Sequence, residues 1–257
     1  MELVRFIFWT GIKTLGIMLL GLLAAKAISA LRVGGAPSQR GCRLVVRALL
    51  YAVVLALVIL GARQIGNEVA AENYARASAR DLGQRQLVNA YRNASRAVEL
   101  RPDVLRYWQM LASAKFAQQQ YASVVADLPA FLALGGGRLE EDDGYRLAAC
   151  YYLLGQYAKV PPITQAMIRE NRHHAAPYVL EGFTYLSQKR YEDAQRVFFA
   201  VLQMFPTQPE AVEGLAHSHF LSGNRAAAQA VLKETARFPF PLEARQRFEA
   251  LKALYAQ

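Results

Sequence analysis

Residues 178–206 read YVLEGFTYLSQKRYEDAQRVFFAVLQMFP. Two apolar stretches at helical spacing flank the polar break at Gln188–Arg190, so the segment reads as two consecutive helices. Bulky side chains (Tyr178, Tyr185, Tyr191, Phe198) alternate with small ones (Gly182, Ala194), and Pro206 closes the unit. A step of 34 residues forward maps Tyr178 to Val212, followed by Leu215, Ala216, Gly223, Ala228 and Leu232. The same step backward reaches Gly144, with Leu147, Ala148, Tyr151, Gly155 and Tyr157. A step of 36 then reaches Trp108, with Leu111, Ala112 and Tyr121, and a further 34 reaches Tyr74, with Ala90, Ala94, Ala97 and Pro102. Self-similarity at a fixed period marks a stack of supersecondary units, none of which buries its apolar face alone.

The order of aromatic, small, aromatic, Ala, Phe and Pro resembles the signature of the tetratricopeptide repeat (TPR) family. The resemblance implies an all-α fold: a right-handed α-solenoid of about five helix pairs, with repeats at about 71–104, 105–140, 141–174, 175–208 and 209–240 and a cap helix over 242–256. Breaks are expected near 84–86, 118–120, 155–157, 188–190 and 222–225. Gly155 and Gly223 suit the turns inside their units. Pro129 is expected to kink its helix, and Pro161 and Pro162 to delay the start of theirs. Gly135–Gly137 supplies a loose connection. The first unit is atypical, either a cap or a continuation of the helix before it.

Upstream of the repeats the composition changes. Leu44–Ala62 reads LVVRALLYAVVLALVILGA, with 15 uncharged residues after Arg47. Such a run spans a bilayer if Arg47 snorkels. Phe6–Leu31 is also apolar but is interrupted by Lys13 and Lys26. It reads as a second transmembrane helix, with an interfacial helix and a signal peptide as alternatives. The expected spans are thus about 6–30 and 44–62. Between them, residues 32–43 form a Gly- and Pro-containing turn with Arg32, Arg40 and Arg43 and no acid. The positive-inside rule places that loop in the cytoplasm and the repeats on the far side, periplasmic in a bacterial inner membrane. Arg5, Arg63, Arg76 and Arg80 weigh against it, so a cytoplasmic placement stays open.

The formal charge of +10 is uneven. Residues 1–62 hold seven Lys or Arg against Glu2 alone, whereas residues 63–257 hold 23 basic and 19 acidic residues. That mixed surface argues against nucleic acid as a partner. Cys42 and Cys150 form no CxxC pair. The run Glu140–Asp143 lacks the glycine and alternating ligands of an EF-hand. His173, His174, His217 and His219 have no metal-ligand spacing. No metal, cofactor or catalytic set is expected.

In TPR proteins the first helix of each unit lines a concave groove. The resemblance thereby assigns Arg106, Gln109, Ser113, Phe116, Tyr145, Tyr152, Phe183, Glu213, His217 and Phe220 to a surface that binds a protein or peptide partner. The matching slots lack the Lys, Asn and Arg set with which chaperone-type TPRs clamp a C-terminal carboxylate. Chains similar in layout, a membrane segment followed by TPRs, serve bacterial envelope assembly such as cytochrome maturation or exopolysaccharide export. The expected function is a membrane-anchored scaffold. Alternatives are a cytoplasm-facing subunit of a membrane synthase or exopolysaccharide secretion complex and, in another class, an enzyme or transporter accessory subunit.

Overall fold

A computed structural model describes residues 38–256, with side chains from Leu50 to Tyr255. The expected span at 6–30 lies outside the described residues. Those described are helical and contain no strand. They divide into two compact units, Met1–Tyr107 and Trp108–Gln257.

In the first unit, helix α1 spans Ser38–Gly83, 46 residues without interruption. It begins inside the stretch expected to turn, and it passes through residues 62 and 63, where the anchor was expected to give way to the repeats. The part from Leu50 onward is long and apolar enough to cross a membrane by length and composition. There Leu50, Tyr51, Val53, Leu55, Leu57, Val58, Ile59 and Leu60 are all exposed. Further along, α1 turns amphipathic and pairs with α2 (Leu87–Leu100). Ala71, Ala75, Ala90, Ala94 and Ala97 are fully buried. Side chains this small let two backbones approach closely. Ser78 Oγ donates to the Ala90 carbonyl at 2.9 Å, and Arg101 pairs with Glu68 at 2.6 Å, which fixes an antiparallel hairpin. The helix before the first break is therefore the continuation of the long apolar helix.

Helix α3 (Leu105–Ala117) carries the boundary between the units. After it come α4 (Tyr121–Ala126), α5 (Leu128–Leu134), α6 (Glu141–Leu153), α7 (Val160–Glu170), α8 (Ala175–Ser187), α9 (Tyr191–Met204), α10 (Pro209–Leu221), α11 (Arg225–Glu234) and α12 (Leu242–Ala256). Pro129 breaks its helix outright rather than kinking it: α4 ends at Ala126, and α5 restarts with Pro129 in its first turn. There the missing N–H costs nothing. Pro161 and Pro162 likewise occupy the first turn of α7, behind a 3-10 turn at Tyr157–Lys159.

The five interruptions share one geometry. Arg85, Gln119, Gly155, Lys189 and Gly223 adopt left-handed φ values of 58°, 61°, 71°, 61° and 88°. They follow one another at steps of 34, 36, 34 and 34 residues. In each case the next residue's N–H reaches back to a carbonyl five positions earlier, as in Gln86 to Asp81 at 2.8 Å and Arg190 to Tyr185 at 2.9 Å. This is the Schellman closure, which satisfies carbonyls the helix end would otherwise orphan.

Packing within the second unit follows the period. Phe198 is fully buried among Val179, Ala194, Val201, Ala211 and Leu215. Leu147, Ala148, Val160 and Leu180 form the preceding cluster. Val212, Leu232, Phe240, Phe248 and Tyr255 form the last one, which seats α12.

Candidate functional site

The helices that open each unit supply the predicted partner-binding residues. Hydrogen bonds between them recur at the repeat distance. Gln109 Nε2 on α3 donates to Asp143 Oδ2 at 2.9 Å, 34 residues on, and to Glu140 Oε2 at 2.9 Å. Tyr152 on α6 meets Ser187 on α8 at 3.1 Å. Glu213 on α10 is paired by Arg247 on α12 at 2.7 Å, again 34 residues on. Helix α6 is thus joined directly to α3 and α8, and α10 to α12, with polar groups tied laterally rather than aimed outward.

Several predicted residues are occupied by the fold. Ser113 Oγ bonds the carbonyl of Gln109 on its own helix. Phe116 sits edge-on to Tyr121, with centroids 5.4 Å apart, and Phe183 sits edge-on to Phe198 at 5.1 Å. Both rings are core partners as much as surface. At the C-terminal end, α12 covers Glu213, His217 and Phe220. Tyr255 stacks on Phe220, with centroids 4.3 Å apart and planes 14° apart, and its hydroxyl lies 2.8 Å from His217 Nδ1. Burial lowers the His217 pKa, and burial together with Glu213 pushes the Tyr255 phenol up to about 12. The phenol therefore keeps its proton beside a neutral imidazole, and the two share a hydrogen bond. Within the second unit the exposed member of the set is Tyr145, at 36%, and Tyr152 is partly exposed. Burial and the Glu210 charge raise the Tyr145 pKa, so its hydroxyl stays a donor at neutral pH. Arg106 belongs to the first unit, where it pairs with Glu72 at 3.4 Å.

The opposite side of the second unit, where the second helices α7, α9 and α11 lie, carries two clefts that the sequence reading missed. The larger, about 640 Å³, lies between α9 and α11 over Val212, Leu215 and His219 of α10. Phe199, Leu202, Val231, Phe238 and Phe240 make it mostly apolar. The smaller, about 410 Å³, lies between α7 and α9 over Tyr178, Glu181 and Tyr185 of α8. The two are one feature repeated, since Tyr178, Glu181, Tyr185, Val197 and Ile168 map onto Val212, Leu215, His219, Val231 and Leu202 at 34 residues. Their only sequence signal was the slot that Leu111, Leu147 and Leu215 share with Glu181. Among the described residues, no three His, Cys, Asp or Glu side chains cluster as metal ligands.

Similarity to known proteins supports the repeat reading. Residues 185–257 match the tetratricopeptide repeat family model. No curated protein matches the sequence. Among solved structures, the type IV pilus biogenesis factor PilW superposes with a TM-score of 0.60 at 13% identity, covering 78% of this chain and 92% of its own. MamA from Desulfovibrio magneticus RS-1 gives 0.59 at 17% identity, covering 65% and 94%. YrrB, described as a TPR protein with an unusual peptide-binding site, gives 0.53 at 17% identity, covering 68% and 90%. At these identities the likeness is one of fold: an all-helical, TPR-like solenoid.

Proposed function

We propose that this chain is a non-catalytic scaffold that holds a protein or peptide partner on its repeats and is anchored to a bilayer by its N-terminal segments. The carrying observation is the row of first helices α3, α6 and α8, tied by hydrogen bonds near the repeat distance and presenting Tyr145 and Tyr152 partly exposed among fixed polar groups. Aromatic side chains on a rigid frame bury much area at small entropic cost, which is how anchoring residues act at interfaces. The proposed repeat boundaries are those expected from the sequence, with α12 as the cap. The proposed groove keeps Gln109, Ser113, Phe116, Tyr145, Tyr152 and Phe183 as its accessible part, while Glu213, His217 and Phe220 serve to dock α12. The anchor rests on the exposed apolar surface of α1 from Leu50 to Leu60, and an inner-membrane location with periplasmic repeats is what Arg32, Arg40 and Arg43 ahead of that surface favour. Assembly of a bacterial envelope complex is the role this layout suits.

A photo-crosslinking amino acid at Tyr145 or Tyr152, in the full chain in its own membranes, tests the reading. Discrete protein adducts are expected there and not at Lys252 or Arg225. Equal labelling at groove and control positions would sink the reading. Resistance to alkaline extraction tests the anchor, and a compartment-sensitive reporter fused after Gln257 tests the topology.

A further inference from the structure

Glu181 is the one acidic residue in a slot that three other units fill with leucine. Leu111, Leu147 and Leu215 occupy it and are each 6% exposed, and Glu181 is 7% exposed. A carboxylate in a leucine site loses hydration that only a counter-charge or a full set of donors restores. Among the described residues no cation pairs with it. Its Oε1 receives Tyr185 Oη at 3.0 Å and Gln165 Nε2 at 3.3 Å. Its Oε2 has only Thr164 Oγ1 at 3.5 Å. That hydroxyl has one hydrogen and two nearer acceptors, the carbonyls of Pro161 at 3.2 Å and Val160 at 3.3 Å. One carboxylate oxygen is thus left without a committed donor, at the floor of the cleft between α7 and α9.

The walls of that cleft suit a positive charge. The rings of Tyr178 and Tyr185 flank Glu181, and aromatic faces attract cations most strongly where water is thin. Arg190 already lies over the Tyr185 ring, 4.5 Å from its centroid, which shows that the ring accepts a guanidinium. At the mouth, Asp193 is held by Arg190 and Arg196, so these arginines are neutralised locally and do not answer Glu181. Arg196 also borders the apolar cleft one repeat further on, so the two clefts adjoin across α9.

We infer that the second-helix face is a separate recognition surface, at which the Glu181 cleft takes a lysine or arginine side chain of a partner polypeptide and the Leu215 cleft takes an apolar side chain of the same segment. The carboxylate recognises the charge, and the neighbouring cleft supplies the apolar contact. The surface is distinct from the first-helix groove around Tyr145.

Full-length protein in detergent is titrated with fluorescein-labelled peptides that differ only at one position, Lys, Arg, Gln or Glu, and share a phenylalanine a few residues away. The wild-type chain is expected to bind the Lys and Arg peptides about 10-fold more tightly than the Gln peptide. Glu181→Gln, which keeps shape and an acceptor toward Tyr185, is expected to erase the preference. Glu181→Leu, which restores the residue of the other units, is expected to do the same with helical content unchanged, so a folding defect in one variant leaves the other decisive. Binding that ignores charge in the wild type, or a preference that survives Glu181→Leu, overturns the inference. If Tyr145→Ala abolishes the preference and both Glu181 variants keep it, the peptide lies in the first-helix groove: the inference fails and the scaffold reading stands.

Discussion

Phe198 fills the space that a side chain on Gly214 would need. A Cβ placed on Gly214 would stand 2.3 Å from Phe198 Cζ, and one on Gly182 would stand 2.6 Å from Phe198 Cε1. The ring is wedged between α8 and α10 against two bare backbones, so neither helix can carry a larger residue without moving. Gly214→Ala is expected to destabilise the second unit by about 1–3 kcal/mol through overpacking. Added to Phe198→Leu, the same change should cost less than it does alone, because the clash is relieved. Chemical denaturation of the two single variants and the double variant reads the coupling, and strict additivity would refute the wedge.

The left-handed slot at each break makes opposite predictions for different residues. Gly155 and Gly223 occupy it without strain, whereas Gln119 and Lys189 pay for a Cβ at φ 61°. Lys189→Gly and Gln119→Gly should each raise stability by about 0.5 kcal/mol after the extra freedom of the unfolded glycine is offset. Gly223→Ala should lower it by about 1 kcal/mol. Midpoints of thermal melts that move in the same direction for all three would contradict this reading.

Lys115 and Asp127 meet at 2.7 Å with side chains only 10% and 13% exposed. Asp127 stands at the break that Pro129 makes, and its carbonyl receives Ala130 N and Phe131 N. Lys115→Met strands the carboxylate and is expected to cost about 3–5 kcal/mol. Lys115→Met combined with Asp127→Asn should recover most of that loss. Urea titrations of the four members of this cycle measure it, and a double variant as weak as Lys115→Met alone would exclude the pair as the cause.

His217 and His219 both have pKa values lowered by burial. Their folded values lie below the unfolded value of about 6.5, so on acidification the unfolded chain takes up protons first. Stability should therefore fall as pH drops below about 6.5 and level off below the folded pKa values. His217→Gln should flatten part of that slope while Tyr255 keeps an acceptor. Unfolding free energies measured at about pH 7.5 and about pH 5 decide the matter, and a wild-type chain more stable at the lower value would reverse the assignment.

The repeat was legible because packing slots recur at one spacing, and a single well-formed unit at 178–206 sets the phase for the rest. Breaks at Gly155 and Gly223 could be read from composition. The break at Lys189 shows as a polar interruption, and those at Arg85 and Gln119 follow from it by counting, since nothing in these side chains asks for positive φ. The positions assigned to the proposed groove rest on phase alone. That α12 would close over His217 and Phe220 depends on Tyr255 near the end of that helix stacking back on Phe220, which spacing does not reveal. The clefts on the other face were missed because their floor residues, Glu181 among them, stand in slots that other units fill with core side chains.

One consequence concerns force. Helix α1 runs from its apolar stretch to the hairpin with α2 as a single rod, and the sequence has no proline between Pro37 and Pro102 to serve as a joint. From Leu50 to Ala71 the rise is about 32 Å at roughly 1.5 Å per residue. A twist or tilt imposed on the apolar end is therefore carried through continuous helix to Ala71 and Ala75, where α1 packs on α2. The first hairpin is carried on a lever, with no slack tether to absorb the load.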